Sequence, residues 1–293
     1  MRVGTRASAL ALAQARWVAD RLRRAGDDVQ IVEITTLGDR GAPVQDKSRW
    51  VSELERALLD GRIDVAVHSA KDVPTELDEG LELVAVPERA DARDAICGAP
   101  RLDALPHGAR VGTSSLRRTA QIRALRDDLE VVSLRGNVDT RLRKLADGEA
   151  DALVLALAGL QRLGRSDEAG GVLDAFVPAA GQGALALEAR AGALDAERLA
   201  AVNHPASQAC VTAERHLVHA LGASCNTPVG SHARWVAEGR LQIDGWVGLP
   251  DGSAWLSDSV SGEPVGIGLE CAQRMLAAGA AELLARAEAE PAV

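Results

Sequence analysis

The sequence predicts an α/β protein: two similar lobes with mixed, mainly parallel sheets, followed by a small α+β domain. Three observations predict it. Short β-like runs alternate with helical patterns, which argues for βαβ units. That alternation restarts after about residue 100, with a joint expected near Asp94–Pro100. After Asn203-His204-Pro205 the pattern changes to one long helix, a strand pair and a helical tail. A chain of 293 residues suffices for two or three such domains.

The elements follow in order. Arg2–Thr5 reads as a short strand, and Ser8 is placed to cap a helix running to about Arg24. Period-two apolar spacing makes Val29–Thr35 a strand, and 3.6-residue spacing makes Val51–Asp60 a helix. Ile63–Val67 reads as a strand ending at His68, and Leu81–Val86 as another. In the repeat, Arg110–Gly112 is a strand, Ser114 or Ser115 caps a helix to Leu125, and Leu129–Leu134 is a strand. Val138–Ala146 is then a helix and Asp151–Leu157 a strand. Beyond residue 203, Ser207–Leu221 is helical. Arg240–Val247 and Ala254–Val260 flank a Pro250-Asp251-Gly252 turn, and Pro264–Glu290 is mostly helix. Ligands of such sheets sit beyond the carboxyl ends of the strands, so a crevice between the lobes is the expected site.

Composition narrows the function. With 33 Lys+Arg against 42 Asp+Glu the net charge is −9, which disfavours nucleic acid or an anionic membrane as partner. Apolar residues make up 47%, and aromatics are so scarce (2%) that Leu, Val, Ile and Ala must fill the cores. Arg outnumbers Lys thirty to three, and each Arg offers a planar fork that fits a carboxylate. Cys97, Cys210, Cys225 and Cys271 form no C-x-x-C pair and no zinc pattern, so no metal site is expected. The Ala-rich start is broken by Thr5, Arg6, Ser8 and Gln14, which does not make a secretory signal; a cytoplasmic protein is expected. No G-x-x-x-x-G-K-[ST] or G-x-G-x-x-G occurs, so nucleotide binding lacks support.

The chemistry-bearing residues gather at predicted strand ends. Thr113-Ser114-Ser115-Leu116-Arg117-Arg118 brings hydroxyls, free helix N–H groups and two guanidiniums together, as an anion site requires. The same residues would also serve as an ordinary Ser cap with solvated arginines. Arg6, Arg135 with Gly136, and Arg141 follow other strand ends, so five arginines can face one polyanionic ligand. In His68-Ser69-Ala70-Lys71-Asp72-Val73-Pro74, the acid beside Lys71 can stabilise a developing cation or move a proton, or simply form a loop ion pair. His68 has no second ligand at metal-binding spacing. Cys225, among glycines and a proline, is a loop thiol that is either reactive or idle.

Taken in order, these segments resemble the porphobilinogen deaminase family. The resemblance rests on Gly4-Thr5-Arg6-Ala7-Ser8, the His68–Pro74 run, Gly112–Arg118, Leu134-Arg135-Gly136-Asn137-Val138 with Thr140-Arg141-Leu142, Ala158-Gly159-Leu160 with Arg162-Leu163-Gly164, and Gly181-Gln182-Gly183. It runs from Arg2 to about Gly230 and is weaker beyond. It implies two lobes like those of periplasmic binding proteins and a third domain. The boundaries it implies are 1–95 with 181–202, then 98–177, then 203–293, the first lobe being completed by a returning segment near Gly183–Ala200.

By function, the resemblance implies a hydroxymethylbilane synthase. Such an enzyme joins four porphobilinogen molecules head to tail with loss of ammonia, then hydrolyses off the linear bilane of tetrapyrrole (haem) biosynthesis. The chain would grow on a dipyrromethane cofactor held by a thioether to Cys225. Asp72 would be the catalytic carboxylate. Arg6, Arg117, Arg118, Arg135 and Arg141 would bind pyrrole carboxylates, with Ser8, Ser69, Lys71, Thr113, Ser114, Ser115 and Gly136 as further contacts. The family's Lys-Gly-Leu-Phe loop is replaced by Gln45-Asp46-Lys47-Ser48-Arg49-Trp50, in which Lys47 would bind substrate and Trp50 would act as a lid residue. A monomer that hands its product to the next pathway enzyme is expected. The competing reading, a non-catalytic two-lobed anion-binding protein, has no use for Cys225 in a third domain.

Overall fold

In the computed structural model, which describes residues 1–36, 51–223 and 227–289, each of two units is built on its own five-stranded sheet. The first unit comprises residues 1–90 and 183–211, the second residues 91–182 and 212–293.

The first sheet contains β1 (Arg2–Arg6), β2 (Gln30–Ile34), β3 (Val65–Ser69), β4 (Leu81–Ala85) and β10 (Leu185–Arg190) in the order β2-β1-β3-β10-β4. β1 runs parallel to β2 and β3, while β10 lies antiparallel between β3 and β4. Four of its five strands therefore point the same way. Side chains alternate across a strand, and the core follows that rule. Val65 and Val67 of β3 pack with Ala15, Val18 and Leu22 of α1 (Ala9–Arg24). Ala66, between them, packs on the other face with Leu54 and Leu58 of α2 (Ser52–Leu59). β3 begins two residues later than Ile63, the expected start, because Ile63 is not in the ladder. It is fully buried and its Cδ1 occupies the space a side chain at Gly4 would need.

The second unit repeats the plan. β5 (Asp94–Cys97), β6 (Arg110–Gly112), β7 (Glu130–Val132), β8 (Ala152–Ala156) and β9 (Gly171–Leu173) are ordered β7-β6-β8-β5-β9. β6 is parallel to β7 and β8, and β5 is antiparallel to β8 and β9. Val154 packs with Ile122 of α3 (Leu116–Leu125). Leu153 and Leu155 face Leu142 of α4 (Val138–Ala146) and Leu160 of α5 (Leu157–Arg162). The stretch expected to be a joint, Asp94–Pro100, thus opens with a fully buried strand inside this sheet.

A three-stranded antiparallel sheet of β11 (Val229–Ala237), β12 (Arg240–Gly248) and β13 (Trp255–Gly262) also belongs to the second unit. Its inner face meets α7 (Pro205–Ala220) and α8 (Ile267–Ala277): a Cβ at Gly245 would collide with Met275, Leu217 and Cys271. α9 (Ala280–Ala289) ends the described chain, and short α6 (Ala196–Leu199) lies before α7. No described helix is long and apolar enough to cross a membrane.

Candidate active site

In the first unit, β1 and β3 end side by side. Val3 pairs with Val65 and Gly4 with Ala66, so the register, continued, sets Arg6 level with His68. α1 starts just beyond, capped as expected by Ser8, whose Oγ accepts from the Ala11 N–H at 3.3 Å. Gln14, buried in the second turn of α1, donates through Nε2 to Ser69 Oγ at 2.8 Å and so fixes the end of β3. A 3₁₀ turn, Ala70–Asp72, follows. Lys71 and Asp72 are half-buried in it, and the Asp72 carboxylate has no hydrogen bond or ion pair among the described residues. Arg6, Ser8, Ser69, Lys71 and Asp72 therefore share the carboxyl edge of one sheet, where a charged substrate group can reach them.

Behind this edge, His68 Nε2 lies 2.9 Å from Glu188 Oε2, and both side chains are buried. Glu55 of α2 is buried nearby; burial first, then the charges of Glu188 and Asp78, push its carboxyl up to about 7. No local pattern marks this cluster, because Glu188 arrives on the returning strand β10.

In the second unit the expected hydroxyl run follows the carboxyl end of β6. Thr113 is buried, its N–H donates to Val132 O at 3.0 Å, and its Oγ1 accepts from the Ser115 N–H at 3.2 Å. Ser115 occupies the N-cap position of α3 without making a side-chain cap bond. Its hydroxyl and the first N–H groups of α3 are thus available to an anion. Ser114 Oγ donates to Leu134 O and accepts from Arg141 Nη2 at 3.1 Å, while Arg141 Nε donates to Gly136 O at 2.8 Å. Gly136 has φ +122°, and a Cβ there would lie 2.9 Å from Thr140 Cγ2, so this loop requires glycine. Arg135 is exposed and has no side-chain partner among the described residues.

Arg117 and Arg118 are not the solvated arginines that an ordinary Ser cap would leave. Both are buried, and both meet Asp94. β5 runs antiparallel to β8, with Asp94 opposite Ala156, so its first residue lies at the carboxyl edge of β8, within reach of the first turn of α3. Arg118 Nε and Nη2 donate to Asp94 Oδ1 at 2.9 and 2.7 Å, and Nη1 donates to Val154 O at 3.0 Å. Gln182 Nε2 also donates to Oδ1, at 2.9 Å, and to Ala92 O at 2.7 Å. Arg117 Nη2 makes a 2.8 Å ion pair with Oδ2, and Nη1 donates to Val177 O at 2.8 Å. Burial would push the Asp94 carboxyl up, but Arg117, Arg118 and the hydrogen bonds outweigh it and hold the group well below the usual carboxylate range. Burial pushes the Arg117 guanidinium down, and the charge of Asp94 only partly opposes this. Asp94 and Gln182 are not among the functional positions that the sequence predicts. The signal available was Asp94's place, as an acid, beside a buried apolar run.

Lys47, Trp50 and Cys225 lie outside the described residues.

The edge of the second sheet collects hydroxyls, helix N–H groups and guanidiniums on an α/β scaffold, donors whose chemistry is complementary to carboxylates. Residues 1–198 match the family model described as porphobilinogen deaminase, dipyromethane cofactor binding domain, and residues 208–277 match the porphobilinogen deaminase C-terminal domain. The porphobilinogen deaminase of Deinococcus deserti is 48% identical, the match covering 96% of this chain and 97% of that protein. That of Thermus thermophilus is also 48% identical, over 97% of this chain and 98% of its own length. Among solved structures, the methionine-binding protein MetQ is 17% identical over 69% of this chain and 87% of its own, with a TM-score of 0.45. The chain belongs to the porphobilinogen deaminase family.

Proposed function

We infer that this chain is a hydroxymethylbilane synthase, a transferase that condenses porphobilinogen stepwise with loss of ammonia and releases the linear bilane. Family membership across residues 1–198 and 208–277 carries this reading. When bound, a dipyrromethane cofactor would supply the pyrrole nucleophile from which the chain of rings starts.

The second unit fits such a group, because two buried guanidiniums face the single carboxylate of Asp94 and leave one positive charge in excess. The Arg117 Nε is buried and has no hydrogen-bond acceptor among the described residues. Cofactor and substrate pyrroles bear acetate and propionate groups, so hydroxyls and guanidiniums are the complementary donors. In this reading Thr113, Ser114, Ser115, Arg117, Arg118, Arg135, Gly136 and Arg141 receive those carboxylates. Arg6, Ser8, Ser69 and Lys71 do the same on the other lobe, joined by Lys47, with Trp50 as a lid residue. Asp72 is the catalytic residue: its carboxylate, free of other partners among the described residues, stabilises the cation left as ammonia departs and orients the pyrrole N–H. Cys225 carries the cofactor through a thioether.

The reading extends to a three-domain division at 1–95 with 181–202, 98–177 and 203–293. It also extends to a cytoplasmic monomer that passes its product to the next pathway enzyme. The test is stoichiometric: purified protein given porphobilinogen should release four ammonia molecules for each bilane formed. Binding of porphobilinogen with no ammonia release would instead favour the anion-binding protein.

A further inference from the structure

Between β9 and β10 the chain passes through a strap, residues 177–181, that belongs to no helix or strand. Gln121, buried in α3, donates through Nε2 to Val177 O at 3.1 Å and accepts from the Val177 N–H at 2.7 Å. One side-chain amide thus grips both main-chain groups of a residue, as a neighbouring strand would. Val177 O accepts a second bond, from Arg117 Nη1 at 2.8 Å. On its other side the strap meets β11. The Ser231 N–H donates to Pro178 O at 2.8 Å, and a Cβ at Gly230 would lie 2.7 Å from Val177 O. Fully buried Glu214 of α7 holds the far end: its Oε2 accepts from the Gly181 N–H at 2.6 Å, and its Oε1 from the Ala233 N–H of β11 at 2.7 Å. α7 and β11 are the elements before and after Cys225 in the chain. The strap therefore ties the frame of that residue to α3, and hydrogen bonds, which weaken steeply when misaligned, set its place.

We propose that Gln121 is a positioning residue for the loading of Cys225: by gripping Val177 it fixes the strap, and through the strap β11, in one register against α3. This rests on the reading of the chain as a hydroxymethylbilane synthase. In loading, the Cys225 sulfur bonds to the aminomethyl carbon of porphobilinogen as the C–N bond breaks, and the thiol proton leaves with the amine as ammonia. Gln121 touches neither reactant. A misplacement of about 1 Å between reacting groups costs on the order of 100-fold in rate. A strap that slips should therefore slow loading without weakening the binding of porphobilinogen.

The test uses the full chain, produced in a host that makes no porphobilinogen. The folded protein is mixed with porphobilinogen at a range of concentrations, and its intact mass is followed with time. Gln121→Met keeps the bulk and helix preference of the side chain and removes both hydrogen bonds. Its maximal loading rate should fall roughly tenfold or more, with the half-saturating concentration within about threefold of the parent's. Gly230→Ala, which pushes on the strap from β11, should do the same. Ile122→Val loosens the packing of α3 but leaves the strap untouched, so it should load at the parent's maximal rate. An unchanged maximal rate in Gln121→Met, or a change confined to the half-saturating concentration, would overturn the assignment. So would an equal slowing in Ile122→Val, which would reduce the effect to general destabilisation. Should Gln121→Met fail to fold, Gly230→Ala decides in the same way. A parent that never acquires the adduct would instead overturn the functional reading itself.

Discussion

Asp72 holds a carboxylate at the carboxyl edge of the first sheet with no partner among the described residues, which suits a group that must meet charge arriving with the substrate. Asp72→Asn keeps the shape and removes the charge. It should retain the pyrrole adduct yet lower kcat at least 100-fold, about 2.7 kcal/mol of lost transition-state stabilisation; near-normal kcat would remove Asp72 from the chemistry. Glu55 gives a second test at this scale. Its folded pKa, about 7, lies above the ordinary carboxylate value of 4.5, so the folded state holds the proton more tightly than the unfolded chain. Stability from this group is therefore complete below about pH 4.5 and declines as pH rises through 7. Glu55→Gln should flatten that decline and raise stability at pH 8 by on the order of 1–2 kcal/mol, measured by urea unfolding. A variant that declined as steeply as the parent would place the titration elsewhere.

Strand ends and the turns after them build the site, and those elements were the most legible. Thr113, Ser114 and Ser115 follow β6 and lead into α3 where the hydroxyl run indicated, and Ser8 caps α1 as read. α4 spans Val138–Ala146, the residues its apolar spacing marked. β9 and β11 also lie outside the expected strands, but the buried antiparallel strands β5 and β10 bear most on the site: β5 has no expectation behind it, and β10 only the returning segment that the resemblance implies. Both are short, fully or almost fully buried, and defined by pairing with strands far away in sequence, so no local period or turn announces them. Missing β5 hid Asp94, and with it the fact that Arg117 and Arg118 share an internal carboxylate. Turn chemistry is testable through the β7–α4 connection. Gly136→Ala puts a Cβ against Thr140 at φ +122°, so it should cost about 1–3 kcal/mol of stability. It should also loosen the Arg141 contact with Gly136 O. An unchanged denaturation midpoint would mean that the loop relaxes freely.

At the scale of the molecule, the same five-stranded plan occurs in both units, each with a single antiparallel strand among four that run together. The fold puts strand ends, helix N-termini and charged side chains at one edge of each sheet, and the two edges carry different chemistry. The first offers an open carboxylate beside Lys71, the second hydroxyls and a surplus of guanidinium. Taken separately, the first edge suits a developing cation and the second suits carboxylates. The net charge of −9 does not oppose this, since Asp94, Arg117 and Arg118 set the potential locally.

The central claim is that the chain builds a bilane on a cofactor covalently held at Cys225. The most direct measurement is the intact mass of the denatured protein after incubation with porphobilinogen, taken beside Cys225→Ser. The parent should carry an excess of at least two linked pyrrole units, and Cys225→Ser should carry none. An adduct on Cys225→Ser, or a parent that stays unmodified, would contradict it.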